Sequence, residues 1–223
     1  DIMNEVDHSQ FWEDIYLEND TGWDLKGVTP VFDSISNELI QGKVCIVGCG
    51  RGYDAIMFAK KGFDVTAVDF APTPISELNK LAIQKSVTIN TVQDDIFSLV
   101  GQYPDTFDYV IEQTCFCAIH PNRRKEYEKL VRSILKPGGK LVGLWYPLDK
   151  SQEEGGPPWG TTIDEVKSTF NSGWEIEKEE FPSCPLYSSN AADDHPCVNL
   201  VCRRIIYERI LVYILSPLLC LAT

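Results

Sequence analysis

Gly48-Cys49-Gly50-Arg51-Gly52, Asp69 and the pair Asp94-Asp95 are residues whose types and spacing suggest chemistry. A glycine turn between a strand and a helix lets a ligand approach the backbone closely and presents amide donors at the helix start. The dinucleotide fingerprint asks for glycine at its first, third and sixth places; Gly48 and Gly50 fit, but Tyr53 holds the sixth. Close approach of a diphosphate is therefore disfavoured. Asp69 stands 21 positions after Gly48, at the end of a second apolar run. The set suits a ligand with a vicinal diol and an adenine but no diphosphate. Asp69 accepts from both ribose hydroxyls, Asp95 with the Ile96 backbone pairs with the adenine edge, and the turn amides face an amino acid tail.

The elements that position these residues read as alternating βα units. "KVCIVG" is a buried strand, followed by a helix over 53–62 that Gly62 closes. "DVTAVDF" is the next strand, with a helix from about Pro74 to Gln84 after it. Strands follow at "VTINTVQ", "FDYVIEQ" and "GKLVGLWYP". Between the last two, Tyr127, Leu130, Val131, Ile134 and Leu135 share one helical face, and Pro137-Gly138-Gly139 marks that helix's end. The stretch "DKSQEEGGPPWGTT" reads as a long loop. A helix near Ile163 to Phe170 then precedes two β-like runs, "WEIEKEEF" and "CVNLVCRRI". The expected architecture is five parallel strands with helices between, closed by a hairpin-like pair.

At 223 residues the chain is long enough for one domain with a substantial core. The formal charge of -13 opposes a nucleic-acid backbone or an anionic membrane. The eight cysteines show no CxxC pair and no Cys/His ligand spacing, so they read as thiols in a reducing cytosol, with no metal site. Asp1 to Asp20 is acidic and polar, unlike a secretory or transit leader, and the expected location is cytoplasmic. The apolar run Ile210 to Ala222 is interrupted by Pro217 and is shorter than the ~20 residues of a membrane span. It reads as part of a docked extension over 204–223, without stable membrane insertion. The sequence leaves the oligomeric state open.

The segment from Val44 to Asp95 resembles the cofactor site of class I S-adenosylmethionine-dependent methyltransferases. Further marks are Trp12, Tyr16, Trp23-Asp24 and Pro30, then "FCAIHPNRR" (116–124) and "GGPPWG" (155–160). Together they resemble the thiol, halide and thiocyanate methyltransferases, a branch related to thiopurine methyltransferase. The likeness runs from about Phe11 to Arg203.

The resemblance implies an α/β, Rossmann-like class I methyltransferase fold with a mostly parallel seven-stranded sheet and an antiparallel C-terminal strand. It implies one methyltransferase domain over 1–203, with 11–32 as an N-terminal lid. Trp12, Tyr16 and Trp23 of that lid, with Gly48, Gly50, Asp69, Asp95, Ile96 and Glu112, would hold S-adenosylmethionine. Asp24 would help fix the lid, and Glu112 would sit by the methionine amino group. Glu112-Gln113-Thr114 and "CFCAIHP" would line the reaction centre, where polar Gln113 replaces an aromatic of the plant members. Gln113, His120 and Trp159 are the catalytic candidates, Trp159 as the cover of a substrate-side flap.

His120 reads equally as a helix-start residue before Pro121, and Arg123 and Arg124 as anion donors or as a helix surface facing Glu126 to Glu128. The implied activity is methyl transfer to a small thiol, hydrosulfide, thiocyanate or halide by in-line displacement, which asks for alignment and exclusion of water. A larger thiopurine-like aromatic thiol, or a non-catalytic cofactor-binding module, are the alternatives.

Overall fold

The computed structural model describes residues 5–181 and 197–205. Cys184, His195, Cys220 and the apolar run Ile210 to Ala222 lie outside the described residues. Helices α1 (Ser9–Glu18) and α2 (Pro30–Ser36) precede a repeating unit of β1 (Lys43–Val47), α3 (Tyr53–Lys60), β2 (Asp64–Asp69), α4 (Pro72–Gln84) and β3 (Asn90–Gln93). A short α5 (Leu99–Gln102) leads to β4 (Phe107–Gln113), α6 (Arg124–Ile134) and β5 (Leu135–Trp145). Helix α7 (Ile163–Thr169) is followed by β6 (Trp174–Glu180) and β7 (Val198–Arg204). Among the described residues no helix is long and apolar enough to cross a membrane.

The seven strands form one sheet in the order β3-β2-β1-β4-β5-β7-β6. Strands β1 to β5 pair in parallel, and β7 runs antiparallel to both β5 and β6. The apolar runs are nearly continuous because both faces of the sheet are covered. In β1, Val44 and Ile46 pack into a core with Phe32, Phe58 and Leu78. Cys45 and Val47 face the opposite core, with Tyr127, Leu130, Ile134 and Phe170. The expected apolar face of α6 is fully buried there. The charged run of β6 lies at the sheet edge, where its mostly exposed side chains discourage further strand pairing.

Two local readings change. Pro137-Gly138-Gly139 lies inside β5, after α6 has already ended at Ile134. Leu135 pairs with Phe107 and Lys140 with Tyr109, so the intervening residues form an irregularity that restores register. The expectation of thiols throughout also fails at Cys197, which is disulfide-bonded. Cys45, Cys49, Cys115, Cys117 and Cys202 are free. A disulfide joins cysteines that the fold brings together, a proximity that spacing along the chain does not report.

The order of strands reverses between β1 and β4, and this switch point is where open α/β sheets place a ligand crevice. Gly48 leaves β1 there at φ +59° and Gly52 caps α3 at φ +80°. A Cβ on Gly52 would lie 2.2 Å from Leu78 Cδ1 on α4. Gly52→Ala is therefore expected to destabilise the fold by ~1–3 kcal/mol through overpacking, with left-handed backbone strain added. Thermal melts against the unaltered protein check this.

Candidate active site

The crevice at the switch point opens into a cavity of about 410 Å³. Phe11, Trp12, Ile15, Tyr16 and Trp23 of the N-terminal segment form one side, facing Gly48, Asp69 and Phe70. Asp95, Ile96 and Phe97 close one end, and Thr114, Cys115, Cys117, Ile119, Pro157 and Pro158 line the rest. A smaller space of about 50 Å³ adjoins it at the glycine turn, lined by Gly48, Gly50, Arg51, Asp54, Gln113 and Thr114 among others. Tyr16, Trp23, Gly48 and Thr114 border both spaces, so the two form one continuous site.

Asp69 ends β2 beside the glycine turn. Its Oδ2 accepts from Gly50 N at 2.8 Å and its Oδ1 from Ala71 N at 3.0 Å. Each carboxylate oxygen has a further lone pair for a ligand. Burial pushes the carboxyl up to about 6, against the lowering effect of the backbone donors. Of the second acid pair, Asp95 lines the cavity, while Asp94 is exposed and braces the turn through Ser98 Oγ at 2.8 Å. Asp95 Oδ1 accepts from Phe97 N at 3.0 Å, which fixes Ile96 and Phe97 as an apolar shelf beside it.

The lid aromatics contact one another edge to face, with ring centroids 6.0 Å apart for Trp12–Trp23 and 5.9 Å for Tyr16–Trp23. The Trp12 indole N–H is held by Val6 O at 2.9 Å. Two acids also anchor the lid. Glu13 accepts from Thr73 N at 2.9 Å, and Asp7 pairs with Arg123 at 2.6 Å.

Three expected site residues stand elsewhere. Glu112 is 1% exposed and lines neither space. Its Oε1 accepts from Cys115 N at 3.1 Å and Phe116 N at 2.8 Å, and its Oε2 accepts from the Tyr127 hydroxyl. The cause is strand alternation: Val110 and Glu112 point toward α6, while Gln113 points to the other face. Glu112 thus shapes the turn after β4 rather than meeting an amino group in the cavity. Burial pushes its carboxyl up to about 7.

His120 does not line the cavity either. Its Nδ1 accepts from Asn122 N at 3.3 Å, capping the turn Pro121–Arg123, and its ring packs edge-on against Trp159 at 5.3 Å. Trp159 is itself buried, with its N–H donating to Cys117 O at 2.8 Å. Its carbonyl and that of Gly160 accept from Arg124 Nη2 at 3.3 and 3.0 Å. The "GGPPWG" loop is therefore pinned by Trp159, and it is Pro157 and Pro158 that face the cavity. Arg124 is buried over the Phe116 ring rather than on the helix surface. Arg123 reaches the cavity wall but is engaged by both Asp7 and Glu126.

Gln113 borders the small space. Thr29 Oγ1 lies 3.0 Å from its side-chain oxygen and 2.8 Å from Asp54 Oδ2, and Thr29 N donates to Asp54 Oδ1 at 2.8 Å. Burial pushes Asp54 up to about 6, against the hydrogen bonds from Thr29. The sequence reading missed Asp54, Phe70, Phe97, Pro157 and Pro158 as individual wall residues. Phe70 and Phe97 were detectable as apolar residues just after strand-end and loop acids. Asp54 carried no signal beyond its place in the first turn of α3.

Comparison with known proteins bears on the family and the fold. A "Probable thiol methyltransferase 2" of Arabidopsis thaliana is 29% identical over 163 residues, covering 71% of this chain and 70% of its own. "Thiocyanate methyltransferase 1" of the same plant is 29% identical over 71% of this chain and 68% of its own. In fold, the chain resembles 1,6-didemethyltoxoflavin-N1-methyltransferase of Burkholderia thailandensis, solved with S-adenosylhomocysteine. The TM-score is 0.71 at 19% identity, over 90% of this chain and 88% of that one. The family model for thiopurine S-methyltransferase matches residues 7–191, from the lid past β6. On that span this chain belongs to the thiopurine S-methyltransferase family of S-adenosylmethionine-dependent enzymes.

Proposed function

We propose that this enzyme methylates a small thiol, hydrosulfide, thiocyanate or halide, with residues 1–203 acting as one methyltransferase unit. The observation that carries the reading is the division of the site. Carboxylates at Asp69 and Asp95 line the cavity, a polar niche adjoins it at the glycine turn, and an apolar, thiol-bearing wall completes it.

The residues present fit S-adenosylmethionine. Asp69 keeps lone pairs for a diol, and Asp95, Ile96 and Phe97 offer an acid and an apolar shelf for an adenine. Gly48, Gly50, Asp54 and Gln113 provide the polar niche for an amino acid tail. Trp12, Tyr16 and Trp23 present aromatic faces that suit a sulfonium, worth ~0.5–2 kcal/mol as cation–π contacts. Bound there, the cofactor supplies an electrophilic methyl group.

The chain's own contribution is orientation and dryness. The lid rings exclude water from one side, and Cys115, Cys117, Ile119, Pro157 and Pro158 do so from the other. With His120 turned to its own backbone cap, the described residues of that wall include no histidine base. The wall suits an acceptor that arrives as an anion or as a thiol already ionised in solution. Burial raises Cys115 and Cys117 well above the usual thiol range, so they stay protonated and do not compete as nucleophiles. The similarity to plant thiol and thiocyanate methyltransferases supports the same acceptor class. The charge of -13 argues against a nucleic-acid acceptor. Among the described residues, the free thiols of Cys45, Cys49, Cys115, Cys117 and Cys202 fit a cytoplasmic setting, and the bonded Cys197 argues the other way.

The test is S-adenosylhomocysteine release from S-adenosylmethionine with hydrosulfide, thiocyanate, iodide, a small alkyl thiol and an aromatic thiol. Turnover is expected with hydrosulfide, thiocyanate or iodide at least. Turnover with the aromatic thiol alone would replace the small-acceptor reading by the larger one. Cofactor binding without turnover on any of the five would remove it.

A further inference from the structure

Arg51 lies inside the glycine turn, yet its side chain reaches back to the lid. Its Nε donates to Asp24 Oδ2 at 2.8 Å, and its Nη2 lies 3.4 Å from Asn19 Oδ1. Its Nη1 pairs with Glu77 of α4, and its guanidinium carbon stands 5.4 Å from the centroid of the Tyr16 ring. The Arg51 and Asp24 side chains are only 15% and 8% exposed. Asp24 is further ordered by accepting from Lys26 N at 2.7 Å. One planar cation therefore joins α1, the turn after it, α4 and the cofactor turn.

The other anchors of α1 and the chain before it end elsewhere. Glu13 ties α1 to Thr73 on α4, and Asp7 ties the chain before α1 to Arg123. Phe11, Trp12, Tyr16 and Trp23 wall the cavity, so the position of that segment sets how widely a ligand's route to the site stands open. Within the α1–Asp24 part of the lid, the tie that reaches the glycine turn is the one made by Arg51; Thr29, near the lid's other end, is tied separately to Asp54 and Gln113.

We propose that Arg51 is a positioning residue that latches the lid to the glycine turn. By holding Asp24 and Tyr16 over that turn, it sets how long the cofactor and its product remain bound. This rests on the reading of the site as one for S-adenosylmethionine. A guanidinium suits the task because its fixed fork of donors serves Asp24 and Glu77 together while its face meets Tyr16, which a lysine ammonium does not reproduce.

The experiment is stopped-flow dissociation of S-adenosylhomocysteine, read by tryptophan fluorescence, on the full chain. Arg51→Met and Asp24→Asn are each expected to speed release about tenfold or more, with association unchanged or faster. The double variant is expected to be no faster than either single one, since both remove the same tie. Arg51→Lys is expected to fall between the unaltered protein and Arg51→Met. If Arg51→Met does not fold, Asp24→Asn and Arg51→Lys carry the comparison. Release at the original rate from Asp24→Asn, with fast release from the Arg51 variants, would overturn the latch and make Arg51 a direct ligand of the cofactor. Additive effects of the two single changes would overturn it as well. Failure of the unaltered protein to bind S-adenosylhomocysteine would instead overturn the functional reading, and the latch with it.

Discussion

Asp69→Ala is expected to weaken S-adenosylhomocysteine binding by about 10- to 100-fold at neutral pH. The estimate follows from ~1.5–3 kcal/mol for a hydrogen bond to a charged group, at 1.4 kcal/mol per tenfold. The carboxylate stands at the cavity wall with lone pairs left over after Gly50 N and Ala71 N are served. The same change strands those two amides, so part of the loss reflects a loosened turn. Asp69→Asn separates the effects, since it keeps an acceptor oxygen but no charge. A pH series adds a sign. Burial raises Asp69 to about 6, and on the proposed reading its ionised form would accept both hydroxyls, so affinity is expected to improve as pH rises from 5 to 7. That rise should shrink in Asp69→Asn, leaving the part due to Asp54. Calorimetry showing unchanged affinity in Asp69→Ala would take this residue out of the ribose role.

Glu112→Ala is expected to be the most damaging single change to stability. It removes the acceptor of Cys115 N, Phe116 N and the Tyr127 hydroxyl, all enclosed between β4 and α6. Each stranded donor costs ~1–3 kcal/mol. Glu112→Gln retains an acceptor for the two amides and is expected to fold. The pH dependence discriminates further. The folded-state value, raised by burial to about 7, lies above the ordinary 4.5, so the native state holds the proton more tightly than the unfolded chain. The associated stability is full below about 4.5 and is lost as pH rises through 7, on the order of 3 kcal/mol in all. Asp54 and Asp69, each raised from 3.8 to about 6, act with the same sign in a lower window. Urea titrations at pH 5 and pH 8 should show Glu112→Gln gaining on the unaltered protein at the higher pH. A constant difference between the two would mean that Glu112 does not titrate in that range.

Much of this fold was legible because its strands are short apolar runs punctuated by glycine turns and amphipathic helices. Gly62 does close α3, and Tyr127, Leu130, Val131 and Ile134 do form the buried face of α6. The end of α6 was less legible. Pro137-Gly138-Gly139 is a breaker in any helix, but pairing of Leu135 with Phe107 had already taken the chain into β5. Likewise, the hairpin-like pair was readable, but not the insertion of β7 between β5 and β6.

At the site, residue type and spacing singled out Gly48, Asp69, Asp95 and Ile96, and the family resemblance singled out Trp12, Tyr16 and Trp23; all of these line the cavity. The same reasoning failed to separate Glu112 from Gln113, or Trp159 from Pro157 and Pro158. Within those neighbours, side-chain direction decides, and direction follows from strand phase and loop anchoring. Arg124 illustrates the point: on a helix it looks like surface charge, but the fold buries it against Phe116 and turns its Nη2 to the carbonyls of Trp159 and Gly160 in the loop.

The sequence by itself determined the class of ligand, because glycine conformational freedom, acid spacing and apolar periodicity are local properties of the chain. Tertiary structure alone decided which side chains meet at the reversal between β1 and β4, because long-range register and packing set that choice. Those same contacts turned Glu112 and His120 into supports, placed Asp54 in the niche, and set Arg51 between the lid and the turn.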